Sequence, residues 1–157
     1  ISGDYVTKGY INGVDSERFM NGWFDTGDLG FIHEDELYIS GRAKDVIIRG
    51  GANFSPAYVE CVVESYLNLR PGKAVAFSYQ NLQQNGEQVV VIVGMQVATE
   101  QRTELVQQIT MAVASELGLQ IDRVFFTAAG NIPKTTSGKV QRLTVKQLFL
   151  NNSLELT

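Results

Sequence analysis

The chain has 157 residues, 44% of them apolar, enough to bury a core in one domain or in one domain and a piece of another. A net charge of -4 and a pI near 5.0, with no basic stripe, argue against a nucleic-acid partner, since backbone phosphates are bound by clustered Lys and Arg. One cysteine, Cys61, and one histidine, His33, exclude an internal disulfide and a protein-built zinc site, and no apolar run is long enough to span a bilayer.

In chain order, the first region, Ile1 to about Ser40, is rich in Gly, Asp and aromatics. Short apolar pieces at Leu29–Ile32 and Leu37–Ile39 predict strands joined by turns, with too few apolar residues to fold alone. From Arg42 onward the pattern becomes regular. Val46–Ile48 predicts a strand. Ser55 and Pro56 form an N-cap and first-turn pair for a helix that buries Val59, Val62, Val63, Tyr66 and Leu67 and ends at Arg70-Pro71-Gly72. Val75, Phe77 and Tyr79 alternate as a half-buried strand, Asn85-Gly86 is a turn, and the unbroken run Val89–Val93 is a central strand, antiparallel to the one before it. Thr99 is the expected cap of a second helix with Leu105, Ile109, Ala112, Val113 and Leu117 on its buried face, ended by Gly118. Val124–Phe126 is a third strand, and Thr144 caps a short last helix through Val145, Leu148 and Phe149. The expected class is α+β: a central three-stranded sheet flanked by helices, with an added hairpin near Val46.

Three stretches carry chemistry. In GWFDTGDLG, Gly22–Gly30, Asp28 lies in tight backbone before an apolar strand. Its carboxylate suits the paired 2′ and 3′ hydroxyls of a ribose, and equally suits a turn cap. In GRAKDVIIRGGANFSPAYVE, Gly41–Glu60, the guanidinium of Arg42 can reach a phosphate or ribose oxygen, Lys44 and Asp45 read as exposed hairpin charges, and Gly50-Gly51 admits a thin ligand or simply turns a hairpin. In GNIPKTTSGKVQR, Gly130–Arg142, Lys139 ends a small, hydroxylated run. A phosphate loop needs glycine five residues before its Gly-Lys pair and Ser or Thr directly after it, where this chain has Pro133 and Val140. Lys139 therefore belongs to a different device, expected to be a mobile loop.

In this order and spacing the three stretches closely resemble the signature motifs of the adenylate-forming superfamily, which includes acyl-CoA synthetases, fatty acyl-AMP ligases, luciferases and peptide-synthetase adenylation domains. The resemblance covers nearly the whole chain. It implies a carboxylate that attacks the α-phosphate of ATP and expels pyrophosphate, then a thiol that attacks the acyl-adenylate. It also implies a C-terminal portion of such an enzyme: residues 1–43 end the large AMP-binding N-terminal domain and residues 44–157 form the mobile C-terminal domain. The first residue, Ile1 rather than Met, agrees with a fragment, which is not expected to be active alone.

By matching positions, Asp28 and Arg42 bind the nucleotide, Lys44 is the hinge, Lys139 is the catalytic lysine of adenylation, and Gly50 and Gly51 line the pantetheine channel. ATP and AMP are implied, with Mg²⁺ held outside this chain, and so is a phosphopantetheine or coenzyme A acceptor. LNLRPGKAVAFSY, Leu67–Tyr79, and IPKTTSGKVQR look most similar to fatty acyl-AMP ligases, which load an acyl carrier protein, whereas the Gly50-Gly51 pair resembles acyl-CoA synthetases. A peptide-synthetase adenylation domain is a third option. A non-catalytic domain that docks a carrier protein is the reading from another class, and it expects Asp28, Arg42 and Lys139 to have been lost. The expected partners are the missing N-terminal domain, a carboxylic acid and the acceptor. The expected compartment is the cytoplasm.

Overall fold

The computed structural model describes residues 1–9, 16–81 and 86–157, and these divide into two compact units, Ile1–Lys44 and Asp45–Thr157. The turn expected at Asn85-Gly86 falls partly outside the described residues.

Among the described residues the first unit holds two hairpins. β1 (Phe19–Met20) pairs with β2 (Trp23–Phe24), and β3 (Asp28–His33) with β4 (Glu36–Arg42), both antiparallel. The second hairpin turns through Glu34 and Asp35, both at positive φ, the two-residue turn whose twist matches the flanking strands. Every residue of β3 is exposed, and Phe31, Ile32, Leu37 and Ile39 stand in solvent on a two-stranded ribbon. An isolated ribbon is marginal in water, which agrees with the low apolar content read from this segment.

The second unit holds the core. After a 3₁₀ turn at Ala43–Asp45, β5 (Ile47–Arg49) pairs with β6 (Ala52–Phe54) across a turn made by Gly50 and Gly51, at φ 58° and 80°. The strand starts one residue later than Val46. α1 (Pro56–Tyr66) begins at Ser55, whose carbonyl accepts the amides of Tyr58 and Val59. It stops before the Arg70-Pro71-Gly72 break, because Asn68 takes the left-handed conformation at φ 52°.

β7 (Ala74–Asn81) and β8 (Gly86–Gly94) are antiparallel, and β9 (Arg123–Thr127) joins β8 in parallel, giving the order β7-β8-β9. The parallel pair needs a crossover, supplied by α2 (Thr99–Leu117), which Gly118 ends at φ 67°. Thr99 is the first helical residue and Ala98 the N-cap, so the expected cap is displaced by one. α3 (Arg142–Leu150) starts two residues before Thr144, with Gln141 as its N-cap.

The apolar run of β8 is unbroken because both faces are covered. Val89, Val91 and Val93 pack with Val59 and Val63 of α1 and Ile109 and Val113 of α2; Val90 and Ile92 pack with Val75, Phe77, Ile132 and Val145 on the other face. Tyr66, expected inside, is 48% exposed at the end of α1. Among the described residues no helix is long and apolar enough to cross a membrane.

Candidate functional site

In the first unit, β3 and β4 bring two of the anticipated residues together. Asp28 and Arg42 are register partners at the open end of the hairpin, and the Arg42 Nε lies 2.8 Å from the Asp28 Oδ1. The turn before them is closed by other groups: the Asp25 carboxylate accepts the Gly27 amide at 2.7 Å, and the Thr26 hydroxyl accepts the Asp28 amide at 3.2 Å. Asp28 is therefore not the turn cap. Its carboxylate is oriented by a guanidinium and stays partly open to solvent. The Ala43 amide donates to the Gly27 carbonyl at 2.9 Å, tying the chain after Arg42 to the same turn.

Lys44, exposed, is the middle residue of the 3₁₀ turn at Ala43–Asp45. Gly50 and Gly51 form the exposed tip of the β5–β6 hairpin, and a Cβ on either would meet nothing within 4 Å. Their glycine identity is thus favoured by positive φ, at 58° and 80°, and not by any crowding of the site.

Lys139 sits on a turn held by its own bonds. Residues Lys134 and Val140 form a β-bridge, the Thr135 amide donates to the Lys139 carbonyl at 2.8 Å, and the Gly138 amide donates to the Thr135 carbonyl at 2.9 Å. The Thr135 hydroxyl accepts the Lys139 amide at 3.1 Å, and Gly138 supplies the left-handed residue at φ 82°. The small hydroxylated residues therefore build a hydrogen-bonded turn. The Lys139 side chain is exposed.

Sequence reasoning missed the ionic cluster behind this turn. Arg142, the first residue of α3, bonds Glu60 of α1 through Nε and Nη2, with Nη2 to Oε1 at 2.9 Å and to Oε2 at 2.8 Å, and donates from Nη1 to Asp45 at 3.0 Å. Glu60 also accepts the Ala76 amide of β7 at 3.0 Å. Asp45 is thus no solvated hairpin charge; its side chain is 22% exposed, against 13% for Glu60 and 21% for Arg142. Burial pushes the Glu60 carboxyl above its usual range, although the hydrogen bond and charge of Arg142 draw it back. Burial also works against the charge on Arg142, but the two carboxylates outweigh it and raise its affinity for the proton. The available signal was Glu60 itself, one residue from Val59 and three from Val63 on the buried side of α1, where a carboxylate needs a cation. Among the described residues no three of His, Cys, Asp and Glu are grouped so that they could hold a metal ion.

The Disco-interacting protein 2-like AMP domain matches residues 44–157. The chain is 40% identical over 135 residues to the medium-chain fatty acid–acyl carrier protein ligase JamA of Moorena producens, covering 83% of this chain and 22% of that protein. It is 32% identical over 171 residues to the long-chain fatty acid–AMP ligase FadD23 of Mycobacterium tuberculosis, covering 97% of this chain and 28% of that one. Among solved structures, McyG A-PCP complexed with phenylalanyl-adenylate superposes with a TM-score of 0.81 at 31% identity, over 96% of this chain and 28% of the other. A structure from work on fatty acyl-adenylate ligases of E. coli and L. pneumophila gives 0.78 at 29%, over 96% and 27%. The chain spans 22% to 28% of the length of these relatives.

Proposed function

Since the chain belongs to the Disco-interacting protein 2-like AMP domain family, among relatives that are fatty acyl-AMP ligases, we propose that it is the C-terminal part of an enzyme that makes acyl-AMP from a fatty acid and ATP and passes the acyl group to the phosphopantetheine thiol of an acyl carrier protein. Residues 1–43 are the end of the large AMP-binding domain, and residues 44–157 are the mobile domain beyond the hinge at Lys44. The observation that carries this reading is the exposed Lys139 on its hydrogen-bonded turn. A carboxylate anion must approach an anionic α-phosphate, and an ammonium placed between them offsets the repulsion while charge builds on the phosphate and pyrophosphate departs. Asp28, aligned by Arg42 Nε, accepts the ribose hydroxyls, and Arg42, whose Nη1 also donates to the Thr26 carbonyl, lends its charge to the nucleotide's oxygens. In the second step the thiol attacks the acyl carbon and AMP leaves. That step has no use for Lys139, and rotation about Lys44 removes it.

The acceptor is a carrier protein, the chemistry in JamA's name. Coenzyme A is the second reading, favoured by the open hairpin tip at Gly50-Gly51, past which a bare pantetheine arm can run. The reaction is placed in the cytoplasm. The test is Lys139→Ala in the complete enzyme, with each half-reaction followed in single turnover. Adenylation should fall by about 10² to 10³, the scale of losing one preorganised electrostatic group, while preformed acyl-AMP is still transferred. Coenzyme A and an acyl carrier protein compete as acceptors in the same assay, and transfer to coenzyme A alone would establish the second reading. A wild-type enzyme that forms no acyl-AMP from any fatty acid would leave the non-catalytic, carrier-docking domain.

A further inference from the structure

We propose that Arg142 is a positioning residue: by clamping Asp45 against Glu60 it makes the residue after Lys44 part of the second unit and carries the Lys139 turn with it as one rigid piece. The inference rests on the rotation described under Proposed function. It starts from the two sides of Lys44. On one side the Ala43 amide is bonded to the Gly27 carbonyl, within the first unit. On the other side the Asp45 carboxylate is bonded to Arg142, within the second. Lys44 stands between these ties in the middle of the 3₁₀ turn with its side chain exposed, so a rotation falls on the torsions from Ala43 ψ to Asp45 φ, which flank and include its own.

The clamp is rooted in the core. Arg142 holds Glu60 by both nitrogens of one edge of its guanidinium, and Glu60 is fixed in turn by the Ala76 amide of the central sheet. A fork of this kind sets an angle as well as a distance, which an apolar contact would not. The same residue is joined to the catalytic turn through its neighbour. Gln141 closes the base of that turn twice, by its amide to the Pro133 carbonyl at 3.0 Å and by Nε2 to the Lys134 carbonyl at 2.9 Å. From Asp45 through Arg142 and Gln141 to Lys139, each link is a covalent bond or a formed hydrogen bond. Without the Asp45 link, several residues share the rotation and the ammonium arrives over a spread of positions. A misplacement of roughly 1 Å costs up to about 10²-fold in rate.

The test separates positioning from folding. Asp45→Asn weakens the outer tie and leaves the Arg142–Glu60 pair intact, and Asp45→Glu restores the charge. In the complete enzyme Asp45→Asn should slow adenylation by about tenfold, leave transfer from preformed acyl-AMP and the KM for ATP within about twofold, and recover to within about threefold in Asp45→Glu. Unchanged adenylation, or equal slowing of both steps, would overturn the proposal. Hydrogen exchange on the 157-residue chain gives an answer independent of activity. Asp45→Asn should speed exchange in residues 45–47, and Arg142→Lys should do so in residues 45–47 and 138–140, while Val89–Val93 keeps the wild-type rate. Unchanged rates at both segments, or faster exchange throughout, would also overturn it. Absence of acyl-AMP from the wild-type enzyme would count against the function proposed above, and the exchange result would then decide the clamp by itself.

Discussion

Replacing Arg142 with Met keeps much of the side-chain volume and removes the cation that two carboxylates share. Glu60 then loses both partners on its guanidinium side and keeps only the Ala76 amide, and Asp45 loses its ion pair. Removing one member of a buried pair costs about 3–5 kcal/mol, because the other charge stays desolvated and unpaired. Here the carboxylates retain 13% and 22% exposure, so water and partial protonation recover some of it, and about 2–4 kcal/mol is expected. In a domain of roughly 100 residues that is a drop of about 10–20 °C in Tm. The assay is thermal and urea unfolding by far-UV circular dichroism, with the Asp45→Asn/Arg142→Met cycle run beside it. A drop below about 3 °C, or strictly additive effects in the cycle, would refute the claim that these charges form one buried unit.

Three more outcomes are expected. Lys44→Pro should slow thiol transfer more than adenylation in the complete enzyme, since a fixed φ obstructs the rotation; equal rates for both steps would remove Lys44 as the pivot. Gly94→Ala should destabilise by about 1–3 kcal/mol in urea unfolding, because its Cβ would lie 2.8 Å from Ile132 Cδ1 and 3.3 Å from two backbone atoms, Ala129 Cα and the Lys73 carbonyl oxygen; a neutral result would mean that this seam yields. Glu60 has a folded-state carboxyl raised above 4.5, so its contribution to stability is complete below that pH and is lost as pH rises through the raised value. Glu60→Gln does not titrate there, so the stability of the wild type relative to this variant should shrink with rising pH across that window and then level off. A difference that grows with pH would reverse the assignment.

The unbroken apolar run Val89–Val93, the stripe Val59–Val63 and the stop at Gly118 are local patterns. Each states how one segment prefers to bend or which face it must bury, and so strands, helices and the antiparallel pair were legible along the chain. Asp28, Arg42 and Lys139 stood out differently, through the resemblance of three motifs in order to a known family. The chain alone could not show that Asp28 turns to Arg42 while Asp25 closes the turn, nor that the Thr135 amide and hydroxyl bond back to Lys139. Those outcomes depend on which of several equally competent acceptors a donor reaches, and only the register of β3 with β4 and the bridge from Lys134 to Val140 decide that. Asp45, Glu60 and Arg142 show the limit most clearly. Glu60 and Arg142 lie 82 positions apart in the sequence, and although the place of Glu60 on α1 asks for a cation, nothing local names Arg142 as that cation. Their burial became tolerable only once the sheet had brought α1 and α3 together, since a desolvated charge is stable only beside its counter-charge, and that proximity is a property of the tertiary structure.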